Sequence, residues 1–169
     1  VSADFTSSPL EGEILYLPKA EVRLMDDSPN AVNWFWDFGD GNFSTDQNPV
    51  YIYPLVGRYE IVLTATDELG CVSTFRRFPY EVREPLLFIP NVFSPNGDNL
   101  HDSYVVQYEG AEETLIKIYD RWGNLQFESN SFLSSWDGKA DGSEVPEGVY
   151  FYMIRVGEKA YEGELTLLR

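Results

Sequence analysis

The chain has 169 residues, a net charge of −16 and a pI near 4.2, with 43% hydrophobic and 15% aromatic residues. Nucleic-acid binding needs cationic side chains to displace counterions, and an acidic surface repels anionic lipid, so the balance argues against both partners. Residues 86–169 hold 14 acidic and 6 basic side chains and residues 1–85 hold the same, so each half carries −8 and neither is a charged tail. No apolar run is long enough to span a bilayer. The absence of an initiator methionine points to a segment of a longer protein, so the lack of a basic-then-apolar leader at Val1 says nothing about the parent.

The aromatic excess favours strands, and the chain reads as strands from the start. Ala3–Phe5 is an entry strand. Val22 and Leu24 alternate with charged residues in Glu21–Met25. In Val32–Phe38, Val32, Trp34, Trp36 and Phe38 share one face, and Gly39-Asp40-Gly41 reverses the chain. Pro49–Tyr53, Tyr59–Asp67 and Cys71–Arg83 follow as strands, the last interrupted by Pro79. Cys71, the single cysteine, cannot form an intrachain disulfide and reads as a small buried hydrophobe. Glu84-Pro85 is the expected boundary, because the residue before a proline is extended.

After it, Leu86–Ile89 is a strand and Ser94–Asp102 an acidic loop. Tyr104–Tyr108, Thr114–Tyr119 and Leu125–Glu128 are strands, with Asp120-Arg121-Trp122-Gly123 as a turn. Trp136-Asp-Gly138 and Asp141-Gly142 are further turns, and Val149–Val156 and Tyr161–Leu168 close a hairpin across Gly157–Lys159. Short alternating strands punctuated by Gly and Pro predict an all-β protein with two β-sandwiches in tandem, residues 1–84 and 86–169, which the resemblances given below imply to be immunoglobulin-like.

Three constellations carry potential chemistry. Asn96, Asp98, Asn99 and Asp102 supply oxygens for part of a calcium shell, and Asp37 with Asp40 forms a weaker pair; the alternative is an Asx-rich turn whose side chains bind their own backbone. Trp34, Trp36, Trp122 and Trp136 are candidate sugar-stacking rings, with Trp36 placed in the core by its strand and Trp122 and Trp136 in turns open to solvent. Asp120, Arg121, Trp122 and Gly123 form either a recognition edge or a structural turn, with Trp122 plugging the sandwich end and Arg121 bonding an acidic neighbour. The lone histidine, His101, sits in an acidic loop without a nucleophile motif, and no carboxylate pair stands out, so catalysis is not expected.

Trp34-Phe-Trp-Asp-Phe-Gly-Asp-Gly41, Asn48-Pro-Val-Tyr-Ile-Tyr53 and Gly57-Arg-Tyr-Glu-Ile-Val-Leu-Thr-Ala-Thr-Asp67 resemble a PKD domain. That resemblance implies an immunoglobulin-like extracellular spacer or adhesive module. Phe88-Ile-Pro-Asn-Val-Phe-Ser-Pro-Asn-Gly-Asp98, Ile116-Lys-Ile-Tyr-Asp-Arg-Trp-Gly123, Trp136-Asp-Gly138, Pro146-Glu-Gly-Val-Tyr-Phe-Tyr152 and Gly163-Glu-Leu-Thr-Leu-Leu-Arg169 are similar to the gliding-motility-associated C-terminal domain. This is the type B sorting domain of the Bacteroidetes type IX secretion system. It departs from the family pattern at Asn99, His101 and Asp120.

The second resemblance implies a targeting function. The domain would dock on outer-membrane components of the type IX system, a PorP-type partner among them, through its folded surface and an exposed strand edge. The attached protein would then pass through the periplasm and outer membrane to the cell surface or medium. No cofactor is required, with calcium the one candidate ion. The competing expectation is a surface adhesin pair that binds carbohydrate or protein, stiffened by calcium.

Overall fold

Apolar side chains at every second position can be buried only by a sheet. The computed structural model, which describes residues 1–169, contains seventeen strands and no helix. The chain divides into two compact units, Val1–Pro85 and Leu86–Arg169.

The first unit contains β1 (Phe5–Ser8), β2 (Ile14–Tyr16), β3 (Glu21–Asp26), β4 (Ala31–Asp37), β5 (Phe43–Ser44), β6 (Val50–Ile52), β7 (Gly57–Asp67) and β8 (Val72–Arg83). One sheet has the order β1-β3-β6 and the other β2-β8-β7-β4-β5. Phe5, Val22 and Leu24 from the first pack with Trp36, Ile61, Leu63 and Tyr80 from the second. Phe5 meets Trp36 edge to face, with ring centroids 5.0 Å apart. The β4–β5 turn sits close against β7. Gly39 has φ +79°, and a Cβ there would meet the Glu60 carbonyl oxygen at 2.5 Å, so this position requires glycine.

Four local expectations are corrected. Val32 leaves the buried face, because the β4–β7 pairing shifts between Ala31 and Asn33. Pro79 does not interrupt β8; the β7–β8 pairing shifts between Tyr59 and Ile61, and the strand continues through the proline there. Cys71 is exposed, next to the Glu68–Gly70 turn. The entry strand is Phe5–Ser8, and β2, parallel to the end of β8, had no alternation of its own to mark it.

The second unit contains β9 (Leu86–Phe88), β10 (Val92–Phe93), β11 (Gln107–Glu109), β12 (Thr114–Tyr119), β13 (Leu125–Ser129), β14 (Lys139–Ala140), β15 (Ser143–Glu144), β16 (Gly148–Val156) and β17 (Lys159–Leu167). The main sheet has the order β10-β17-β16-β12-β13, with β9–β11 and β14–β15 as two-stranded ribbons. Phe93, Ile116, Ile118, Tyr150, Ile154, Leu165 and Leu167 from the main sheet share a core with Tyr104, Val106 and Trp136. Tyr104 and Trp136 exchange two backbone hydrogen bonds, of 2.8 and 3.1 Å. That bridge replaces most of the strand expected at Tyr104–Tyr108.

Candidate functional site

The turn Asp120–Gly123 joins β12 to β13 and is built around one carboxylate. Asp120 Oδ1 accepts the N–H groups of Trp122 and Asn124, both at 2.9 Å. Its Oδ2 accepts the Asn124 side-chain amide at 2.8 Å and that of Gln126 at 3.4 Å. Gly123 closes the turn with φ +86° and donates its N–H to the Asp120 carbonyl at 3.0 Å. The Asn124 amide, followed by the backbone donors, holds the Asp120 carboxyl below the usual carboxylate range.

This clamp presents Trp122 to solvent with 77% of its surface exposed. Arg121 lies over the ring, its guanidinium carbon 5.2 Å from the centroid. The expected plug is therefore a different residue: Trp136, 1% exposed, fills the core while Trp122 stands outside it. Beside Trp122 lies a small cleft of about 100 Å³, lined by Arg121, Pro146, Glu147, Val149 and Tyr150 among others. An exposed indole beside a cation on a rigid turn suits protein recognition, where Trp and Arg commonly anchor contacts.

The acidic loop is held by its own side chains. Asp102 accepts Gly97 N–H at 2.7 Å through Oδ1 and Asn99 N–H at 2.8 Å through Oδ2. Asp98 Oδ1 accepts Leu100 N–H at 2.8 Å, and Asn96 Oδ1 accepts Asp98 N–H at 3.0 Å. Asn99 and His101 adopt left-handed conformations, with φ of 66° and 56°. Asn96, Asp98 and Asp102 thus direct side-chain oxygens to backbone N–H groups of the loop, whereas Asn99 contributes its backbone N–H. Near the β4–β5 turn, Asp37 Oδ1 accepts Gly39 N–H at 2.9 Å, and Asp40 accepts Asn42 N–H at 3.0 Å and the Tyr51 hydroxyl at 2.6 Å. No three His, Cys, Asp or Glu side chains converge as a metal cluster anywhere in the chain.

Of the other candidate rings, Trp36 is fully buried and Trp34 packs partly buried against the same core. The exposed aromatic pair of the first unit is Phe35 and Phe43, stacked with centroids 5.4 Å apart. Sequence reading missed them, because Phe43 lies in a two-residue strand without alternation.

Comparison with known proteins follows this division. Collagenase ColQ1 of Bacillus cereus (strain Q1) is 42% identical over 45 residues, which is 27% of this chain and 5% of the collagenase. The pre-pro-metalloprotease PrtV of Vibrio cholerae serotype O1 (strain M66-2) is 38% identical over 52 residues, 31% of this chain and 6% of the protease. The chain therefore spans about a twentieth of the length of these curated relatives. The PKD1 domain of Vibrio anguillarum Epp, a solved structure, is 28% identical and covers 48% of this chain and 93% of its own, with a TM-score of 0.38. Residues 19–82 match the PKD domain model and residues 87–167 the CHU_C type IX secretion signal domain model, both non-catalytic modules. The chain carries, in order, a PKD domain and a type IX secretion signal domain.

Proposed function

We propose that residues 86–169 are the folded address by which outer-membrane components of the type IX secretion system, a PorP-type partner among them, select the protein for export through the periplasm and outer membrane to the cell surface or medium. The observation that carries this reading is the type IX secretion signal domain at residues 87–167, set directly after a PKD domain. The Asp120–Gly123 turn serves as a contact, because it holds Trp122 and Arg121 outward at no cost to the core. The PKD domain acts as a spacer between the address and its passenger.

The test is export of a fluorescent reporter fused to residues 86–169, with and without residues 1–85, in a bacterium with a type IX system and in a secretion-deficient strain. Reporter in the medium or on the surface only in the competent strain supports the reading. Folded reporter held in the periplasm by both fusions of a matched strain overturns it.

A second reading, a surface adhesion module, is favoured by the exposed Phe35–Phe43 pair, which offers aromatic area for a sugar or protein. Binding by residues 1–85 that is lost on Phe43→Ala would support it.

A further inference from the structure

β17 pairs with β16 along its whole length, from Lys159 opposite Val156 to Leu167 opposite Gly148. On its other side only Thr166 and Leu167 meet a strand, the two-residue β10. The stretch from Lys159 to Leu165 is therefore an open edge of the main sheet. The hydrogen bonds at its end fix which backbone groups face outward. Thr166 N–H donates to the Asn91 carbonyl at 2.8 Å, and Leu168 N–H to the Phe93 carbonyl at 3.1 Å. Peptide groups alternate in direction along a strand, so Ala160, Glu162 and Glu164 point theirs to the same open side. Lys159, Tyr161, Gly163 and Leu165 turn theirs to β16.

The side chains beside this edge state what it fits. Glu164 lies opposite Phe151, and Glu162 opposite Met153. Tyr119 lies opposite Phe151 on the far side of β16. These five residues line one shallow groove whose floor is apolar and whose β17 margin is acidic. A second copy of the chain is a poor occupant. Antiparallel β17–β17 pairing centred on Gly163 would set Glu162 of each copy against Glu164 of the other, and like charges directly opposite destabilise a pair. A basic strand reverses that sign.

We propose that the edge at Ala160–Glu164 takes up an extended segment of a protein partner as an added strand, with Lys or Arg at alternate positions beside Glu162 and Glu164. The proposal rests on the sorting reading, and the partner is a component of the secretion machinery. Backbone bonds to Ala160, Glu162 and Glu164 supply the pairing. The two carboxylates select a basic sequence, and the Phe151–Met153 strip receives the stems of its long side chains.

The test uses the full chain fused to the secreted reporter. Glu162→Pro removes an outward N–H and leaves the hairpin bonds to β16 untouched, because proline is tolerated at such edge positions. Glu162→Lys with Glu164→Lys reverses the margin and carries the test alone where the proline variant fails to fold, as judged by thermal melting of the purified chain. Glu68→Lys with Glu84→Lys, two exposed positions of the first unit, is the charge-matched control. The expected result is at least a tenfold loss of export for each edge variant, with the control exported like the parent. Parent and edge variants exported alike would overturn the edge and leave the sorting reading intact. No export of the parent would overturn both. A parent dimer in sedimentation that Glu162→Pro abolishes would assign the edge to a second copy and overturn the basic partner.

Discussion

The Nε1–H of Trp136 donates to the carbonyl oxygen of Lys139 at 2.8 Å. The PKD domain contains the same device, with Trp36 Nε1–H on the Asp46 carbonyl, also at 2.8 Å. Each ring is buried in its own domain's core, and each ties a following loop to it. Trp136 also meets Tyr150 edge to face at 5.2 Å and Phe93 at 5.3 Å. Trp136→Ala is expected to cost about 3–5 kcal/mol, the range for deleting a buried aromatic ring. Trp136→Phe keeps most of the ring and leaves the Lys139 carbonyl unmet, for a smaller loss of about 1–3 kcal/mol. Denaturant unfolding of both variants checks this. Equal losses would show that the hydrogen bond outweighs the ring volume.

Trp122 makes the opposite case. Its ring is outside the core, so Trp122→Ala should change stability by less than about 0.5 kcal/mol while lowering reporter export. Asp120→Ala should lower export as well, by releasing the clamp that aims the indole. A Trp122→Ala variant with full export would remove this turn from the recognition surface. One with a large loss of stability would contradict its exposure.

Tyr51 and Asp40 set a pH signature for the PKD domain. Burial, and then the hydrogen bond to Asp40, push the Tyr51 hydroxyl up from 10.0 to about 12. A raised pKa gives stability that is complete below pH 10 and lost as pH rises through about 12. For Asp40, burial opposes ionisation, but donors from Tyr51 and Asn42 outweigh it and hold the carboxyl below 3.8. A lowered pKa gives stability that is complete above 3.8 and lost as pH falls through the folded value. The stability difference between the parent and Tyr51→Phe should therefore be level between these limits and shrink beyond each. Thermal melts across pH measure it, and a difference that grows above pH 10 would reverse the assignment.

Alternation made the long strands legible in the sequence. Tyr59, Ile61, Leu63 and Ala65 marked β7, and the terminal hairpin followed from two alternating runs around Gly157. Trp122 and Trp136 were not separable locally, because both stand in Asp/Gly-rich turn sequences. Their burial is decided at long range, by the Tyr104–Trp136 backbone bridge. The open edge of β17 was hidden for the same reason. It exists because β10 is two residues long and pairs only with the end of β17. In the acidic loop, composition announced the side-chain oxygens, but only the folded backbone shows which N–H each one takes.

That loop yields the last prediction. A calcium ion at Asp98 and Asp102 would share carboxylates that already accept the N–H groups of Gly97, Asn99 and Leu100. Each carboxylate oxygen keeps a lone pair beside the N–H it accepts, but the loop is already closed by these bonds before any ion enters. A loop closed by its own side chains should keep the same Tm, within about 1 °C, when millimolar calcium is exchanged for chelator, because a ligand stabilises only by its occupancy of the folded state. Asp102→Ala should lower Tm in both buffers by the same amount, through loss of two backbone acceptors. A calcium-dependent rise of several degrees, absent in Asp102→Ala, would establish an ion site at this loop.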